Sequence, residues 1–426
     1  MGPCLRRGIL LGLCGIGGAG AATSQAPGDA EQRQLVAEFL RRDGTHDEDR
    51  RRRDEILERL AGVPELKPDQ DKRWRQDIQK IWNKGRKLEA KSGAHWFWDK
   101  PERGRYLVGG ELERPKGLLI AMHGGGAGVG DAESARDAFE SAAKKLGWLV
   151  ICPEVLEKTE HGWTDAGTEE WILELIDAAR RTWKLDPNRV YFCGHSMGGY
   201  GTWTLGAHHA DAVAGLAPSA GAPTPILEHG KGVVDIAPGV IPSLRNTRIV
   251  IYQSADDPQV PPDVNRVASR LLDAAQQRWG GYPHEYWEVT GQGHGLPPGG
   301  SIALLGKIAD AVRDPRPTKL VWQPGLRWKR HFAWLWWDKP STQAIVVAEI
   351  DKTKNLVKVA CNEQRPGLEV LLDEALVDFS KEVVVMSGER EVFRGKPKRT
   401  LATLLKTAAR GDPQLVFAAA VVVIPR

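Results

Sequence analysis

Gly194-His195-Ser196-Met197-Gly198 constrains the fold of this chain more than any other stretch. It reads G-x-S-x-G and directly follows the apolar run Val190-Tyr191-Phe192-Cys193. Gly199, Tyr200, Gly201 and Thr202 come next. The pattern predicts a strand, a sharp turn and the start of a helix, with a serine at the apex. A serine held there exposes its oxygen at the end of a sheet, and the flanking glycines let the backbone turn without a Cβ clash. With 47 glycines in the chain, a bare G-x-S-x-G match would be weak. The buried-strand run before it, and two further motifs, give it weight.

Short apolar runs alternate with amphipathic segments from about residue 94 to 313. The expected strands are residues 95–98, 117–122, 148–152, 190–193, 212–218, 248–252 and 282–289. Helical patterns fill residues 133–146, 169–184 and 263–278. Strand–helix alternation with nearly continuous apolar strands predicts an α/β fold, a mostly parallel sheet covered on both faces. Ligands of such sheets bind beyond the carboxyl ends of the strands, which is where Ser196 is expected.

A serine hydroxyl is a poor nucleophile at neutral pH and needs a base, itself oriented by an acid. The chain supplies candidates in the order Ser, Asp, His. After the strand at 248–252 comes Asp256-Asp257-Pro258-Gln259-Val260-Pro261. Asp257 is the candidate acid, because Asp-x-x-Val-Pro puts the proline turn just after the carboxylate; Asp256 is the alternative. Alone, this segment would read as simple turn chemistry. The candidate base is His294, in Gly291-Gln292-Gly293-His294-Gly295, a glycine-rich loop after the strand at 282–289. His208 and His209 fall on the helix after Ser196 and are expected to be structural. The third motif is His123-Gly124-Gly125-Gly126, directly after the strand at 117–122. Acyl transfer passes through an oxyanion that backbone N–H groups must meet at close range. Gly124 or Gly125 is expected to supply one and Met197 the other. A phosphate loop is the competing reading, but neither G-x-G-x-x-G nor a G-K-[ST] ending is present.

In this context residues 94–313 resemble the α/β-hydrolase fold family. The run from Asp186-Pro187-Asn188-Arg189-Val190 to Ser196-Met197-Gly198-Gly199-Tyr200-Gly201-Thr202-Trp203 is more specific. It resembles secreted esterases and predicted peptidases related to the prolyl oligopeptidase catalytic domain, and the polyhydroxybutyrate depolymerase and feruloyl or acetylxylan esterase groups. The resemblance covers about half the chain. It implies hydrolysis of carboxylic esters, or of peptides, by Ser196, Asp257 and His294, with no metal and no organic cofactor. The chain has no room for the large β-propeller of prolyl oligopeptidases, which weakens the peptidase reading. A catalytically silent fold that binds carbohydrate or cell-wall polymer is the third reading.

Residues 1–26 read as an export signal. Arg6 and Arg7 precede an apolar stretch from residue 9 to about 22, and small residues follow. The stretch is short for a membrane span, so a periplasmic or secreted protein without stable membrane insertion is expected. Residues 27–93 carry two or three amphipathic helical patterns and are expected to pack on the following domain. The run Arg50–Arg53 is flanked by acids and reads as a solvated helical face, with a partly disordered arm as the alternative over residues 42–53. A net charge of +4 is small for 426 residues, which argues against a nucleic-acid partner. Cys152 and Cys193 end apolar runs and read as buried free thiols.

Pro315 and Pro317 mark a break. Residues 318–426 are expected to form a small separate β-rich domain, a sandwich or similar, with one helix near 400–409. Trp322, Trp328, Trp334, Trp336 and Trp337 open it. Packing against the preceding domain is the expected role of this cluster, and carbohydrate contact is the alternative. His195, Trp163 and Asp165 are counted as candidate pocket residues, with His195 expected to face away from the substrate.

Overall fold

The computed structural model describes residues 26–42, 46–98, 103–363 and 366–424. The expected export signal, apart from its last residue, lies outside them. Among the described residues no helix is long and apolar enough to cross a membrane.

The centre is an eight-stranded sheet. In chain order its first six strands are β1 (Gly93–Trp96), β2 (Arg105–Gly110), β3 (Leu118–Met122), β4 (Leu149–Pro153), β5 (Val190–His195) and β6 (Gly215–Ser219). A separate hairpin follows, β7 (Pro225–Glu228) with β8 (Gly232–Ile236), and then β9 (Arg248–Ser254) and β10 (His284–Val289) complete the sheet. The order is β1-β2-β4-β3-β5-β6-β9-β10. Strands β3 to β6, β9 and β10 run parallel, and β1 and β2 form an antiparallel edge. Strand β2 was not expected. Glu140 and the Trp148 carbonyl press on its two glycines, Gly109 and Gly110. The exposed hairpin was also not expected.

Alternation along the strands assigns the two faces. Leu118, Ile120 and Met122 of β3 join one buried cluster, and Leu119 and Ala121 join the other. Helices α5 (Thr168–Thr182), α6 (Met197–His208) and α7 (Asp263–Trp279) cover the first face through Trp171, Leu175, Trp203 and Leu272. Helices α4 (Ala132–Leu146) and α8 (Gly300–Gly306) cover the second through Phe139, Ala143, Leu304 and Leu305. Strands buried on both sides explain why they read as unbroken apolar runs rather than alternating ones. Cys152 and Cys193 are free thiols inside this packing.

Beyond Arg313 the chain forms two further sheets. One is β11 (Lys319–Trp322), β14 (Val346–Asp351), β15 (Leu356–Cys361), β17 (Val383–Ser387) and β18 (Arg390–Gly395). The other is β12 (His331–Phe332), β13 (Leu335–Trp337), β16 (Leu368–Leu372) and β19 (Ala419–Ile424). Their apolar residues and those of the first face of the main sheet belong to one continuous buried cluster. Trp322, Trp334 and Trp337 are fully buried in it, and the Trp322 ring stacks on Phe332 at 5.4 Å. Their faces are closed to a sugar ring, so carbohydrate contact through these three is corrected to packing.

The N-terminal helices are α1 (Asp29–Arg41), α2 (Asp47–Leu60) and α3 (Pro68–Trp82). Residues 43–45, inside the segment weighed as a disordered arm, lie outside the described residues; Arg50–Arg53 are helical within α2. The helices' apolar stripes do not pack chiefly on the domain that follows. Val36, Phe39, Ile56, Leu60 and Ile78 bury against Leu401, Leu404, Leu405 and Ala408 of α9 (Leu401–Ala408). The reason is the stripe on α9, whose apolar residues recur at helical spacing and are capped by the Thr400 side chain. Arg181 of α5 provides the link to the main sheet, donating to the Trp82 carbonyl at 2.9 Å.

Three buried histidines are held neutral. Burial pushes His331 down to about 3, with Arg410 adding repulsion. Burial pushes His209 down to about 4 against the pull of Glu169, and lowers His123 as well. Each folded value lies below the unfolded value near ~6.5, so the unfolded chain takes the proton first as pH falls. Stability is therefore lost as pH drops below ~6.5, by up to about 1.4 kcal/mol per pH unit for each histidine. Melting temperature should fall between pH 7 and pH 5, and His331→Gln should make the fall shallower. An unchanged slope in that variant would remove His331 from the account.

Candidate active site

Four loops meet at the carboxyl ends of β3, β5, β9 and β10. The turn after β5 carries Ser196, whose φ of 57° and ψ of −123° are unusual for a residue with a side chain. Close backbone approach enforces the turn. A Cβ on Gly194 would lie 2.3 Å from the Gly198 carbonyl oxygen, and one on Gly198 would lie 2.1 Å from that of Met122. Only glycine at both places lets α6 start so near β3. The Ser196 N–H donates to the Ser219 carbonyl at 2.9 Å, which ties the turn to β6.

His294 lies between Ser196 and Asp257. Its Nδ1 is 2.7 Å from Asp257 Oδ2, and its Nε2 is 2.9 Å from Ser196 Oγ. A carboxylate only accepts, so Nδ1 carries the proton in neutral His294 and the Nε2 lone pair faces the serine hydroxyl. The Asp257 side chain is fully buried. Burial alone would raise its carboxyl, but the hydrogen bonds from His294 and from the Val260 and Gln259 N–H groups outweigh that and hold it below its ordinary value. The second oxygen, Oδ1, accepts both N–H groups at 2.9 Å. Asp256 faces elsewhere: it accepts from Ser254 Oγ and from the Gly291 N–H at 3.0 Å, which anchors the loop that carries His294.

The glycine loop after β3 borders the serine. A Cβ on Gly124 would stand 3.3 Å from Ser196 Cβ, so Gly124 is the glycine beside Ser196. Gly125, at φ 139°, is packed against Val129 instead. Met197 opens α6, where N–H groups have no helix carbonyl four residues back and remain available. His123 locks the loop. Its Nδ1 faces the Gly124 carbonyl at 2.7 Å and must donate, which leaves Nε2 to accept from the Val155 N–H at 3.2 Å.

The three candidate pocket residues are each held by specific contacts. His195 faces away from the opening. Its Nε2 is 3.1 Å from the His294 carbonyl oxygen and donates to it, and its Nδ1 accepts from Ser219 Oγ at 3.0 Å. Trp163 is buried beneath the glycine loop, with Nε1 donating to the His123 carbonyl at 3.1 Å. It supports the loop and is too deep to line a pocket. Asp165 accepts from Thr159 Oγ1 at 2.5 Å within its own loop. His208 and His209 both contact Glu169, at 2.8 and 2.9 Å, away from Ser196. The contacts of His195 and the anchoring contact of Asp256 were not foreseen; they depend on loops whose paths carry no periodicity.

This arrangement can abstract a hydroxyl proton, hold the resulting imidazolium against a buried carboxylate and present two backbone N–H groups nearby. No protein-family model matches the chain. Among curated proteins it is similar to a bifunctional acetylxylan esterase/xylanase of Neocallimastix patriciarum, 29% identical over 106 residues. That match takes in 24% of this chain and only 16% of the relative's length. Among solved structures it is similar to a thermostable esterase, with 20% identity and a TM-score of 0.36 over 47% of this chain and 55% of that one. A CE1 ferulic acid esterase from Anaeromyces mucronatus gives 17% identity and a TM-score of 0.34, covering 52% and 89%. An acetyl xylan esterase from Aspergillus awamori gives 14% and 0.35, covering 49% and 95%.

Gly198→Ala tests whether the close approach of α6 to β3 sets the turn. The backbone must shift to admit the methyl, which should cost about 1–3 kcal/mol and lower the melting temperature. An unchanged melt would sink this account of the turn. The mainly parallel sheet, with helices on both faces and a serine turn after its fifth strand, is the α/β-hydrolase fold.

Proposed function

We propose that this chain is an exported serine hydrolase that cleaves carboxylic esters through an acyl-enzyme on Ser196. The observation that carries the reading is the hydrogen-bond relay from Asp257 through His294 to Ser196, at 2.7 and 2.9 Å. In the proposed reaction Ser196 Oγ attacks the ester carbonyl as His294 Nε2 takes its proton. Asp257 keeps its charge and stabilises the imidazolium without accepting the proton. The N–H groups of Met197 and Gly124 meet the oxyanion, where backbone donors are worth most. His294 then protonates the departing alcohol. Water then attacks the acyl carbon as His294 takes its proton, and the acyl–Oγ bond breaks to release the acid as His294 returns that proton to Ser196 Oγ. The proposal of export rests on Arg6, Arg7 and the apolar stretch after them. The partial likeness to an acetylxylan esterase/xylanase is in keeping with ester chemistry.

A fluorophosphonate probe should label the wild-type protein and leave Ser196→Ala unlabelled; equal labelling of the two would sink the serine mechanism. Short p-nitrophenyl esters should be cleaved and aminoacyl anilides should not, and the reverse result would make the protein a peptidase. Asp257→Asn should lower kcat by roughly four orders of magnitude, whereas Asp256→Asn should retain most turnover. The opposite ranking would reassign the acid.

A further inference from the structure

A cavity of about 770 Å³ lies away from Ser196, where α1 to α3, α5 and the C-terminal sheets meet. Ser196, Asp257, His294 and Gly124 are not among the residues that line it. Its volume is that of an organic-ligand pocket. Twelve lysines and arginines line it, against four aspartates and glutamates.

The carboxylates that answer the deepest cations stand behind the wall. Asp211, with its side chain fully buried, takes both Lys329, at 3.0 Å, and Arg410. Asp412 takes Arg313 at 2.6 Å and lies 3.6 Å from Arg180. Asp211 and Asp412 are thus each shared by two buried cations. Glu169, the next carboxylate inward, is held by His208 and His209. Asp177, on the cavity wall 3.6 Å from Arg180, is pushed up to about 6 by burial, against the pull of Arg180 and Arg181, and stays mostly ionised at neutral pH. Burial and then Arg410 push the Lys329 amine down to about 7, against Asp211. Lys329 and Arg410 share one carboxylate, and an anion in the cavity would give this pair of buried cations a second negative partner.

The rest of the wall suits an organic body. Trp82, Trp328 and Trp336 line it along with Phe39. Arg181 sits 4.3 Å over the Trp82 ring and the Lys406 amine 5.0 Å over the Trp336 ring, which fixes these indoles in place.

We propose that this cavity is a second binding site, for an organic anion whose carboxylate or phosphate head lies against Lys329 and Arg410 and whose ring-sized body lies among Trp82, Trp328 and Trp336. The proposal is independent of the chemistry at Ser196.

Isothermal titration calorimetry at low ionic strength tests it, with D-glucuronate, D-glucose 6-phosphate, D-glucose and inorganic phosphate as probes. At least one charged sugar should bind at one site per chain, and D-glucose at least about tenfold more weakly. Binding of glucuronate alone assigns a carboxylate head, and binding of the sugar phosphate alone assigns a phosphate head. Inorganic phosphate binding as tightly as the sugar phosphate overturns the organic-body reading, and no binding by either charged sugar overturns the site. Lys329→Met should weaken the charged sugar at least about tenfold in protein that still melts cooperatively. Because that change leaves buried Asp211 with Arg410 alone, Lys329→Met/Asp211→Asn is the second variant, and it should weaken binding likewise. Wild-type affinity in either folded variant overturns the proposal.

Discussion

The backbone turn at Ser196 is the constraint on which the site depends. A residue held at such φ and ψ costs about 1–3 kcal/mol. Its surroundings hold it there: the Ser196 N–H is taken by Ser219, and its carbonyl receives the Gly199 and Tyr200 N–H groups at 2.8 and 3.2 Å. Gly194 and Gly198 let β5, α6 and β3 approach to distances that any Cβ would forbid. The strain thus sits where three well-packed elements converge and cannot relax without separating them. That convergence fixes the position of Oγ relative to His294.

The histidine gets its place by different means. It sits on a loop rich in positive-φ glycines, Gly291 and Gly293, which alone would not hold an imidazole in one orientation. Three contacts restrain it. Asp257 takes Nδ1, His195 takes the His294 carbonyl, and Asp256 takes the Gly291 N–H. The adjacent aspartates therefore divide the work: the buried one faces the ring and the exposed one anchors the loop. Burial matters for this division, because a carboxylate out of water interacts more strongly with the imidazolium that would form beside it.

Much of this was legible in the sequence because each motif follows its own strand. Unbroken apolar runs marked most of the parallel strands, and Ser196, Asp257 and Gly124 each come just after one, while His294 follows the more polar β10. What stayed hidden has physical reasons. Gly109 and Gly110 of β2 look like a turn until one sees that Glu140 and Trp148 press on them. Trp163 follows a strand in a loop, as a pocket residue would, yet its indole donates to the His123 carbonyl from below. The partner of the N-terminal helices was hidden for another reason. An amphipathic stripe reveals that a helix will be covered, but not by what, and here the cover comes from α9 at the far end of the chain.

That closure has a consequence for the molecule as a whole. Helices α1 to α3 bury their apolar residues with α9, so the first and last described helices share one core. The C-terminal sheets in turn share a core with the main sheet. Three parts of the chain thus surround one junction, and ion pairs tie it together: Arg330 of the C-terminal region reaches Asp54 of α2 at 2.7 Å, and Arg313 reaches Asp412 at 2.6 Å. Arginine suits such a place, since its flat, weakly hydrated head loses less on burial than an ammonium and still binds two acceptors. The cation-lined cavity is what remains between these surfaces. A junction built only for stability would be expected to fill that volume with apolar side chains; instead its wall gathers positive charge.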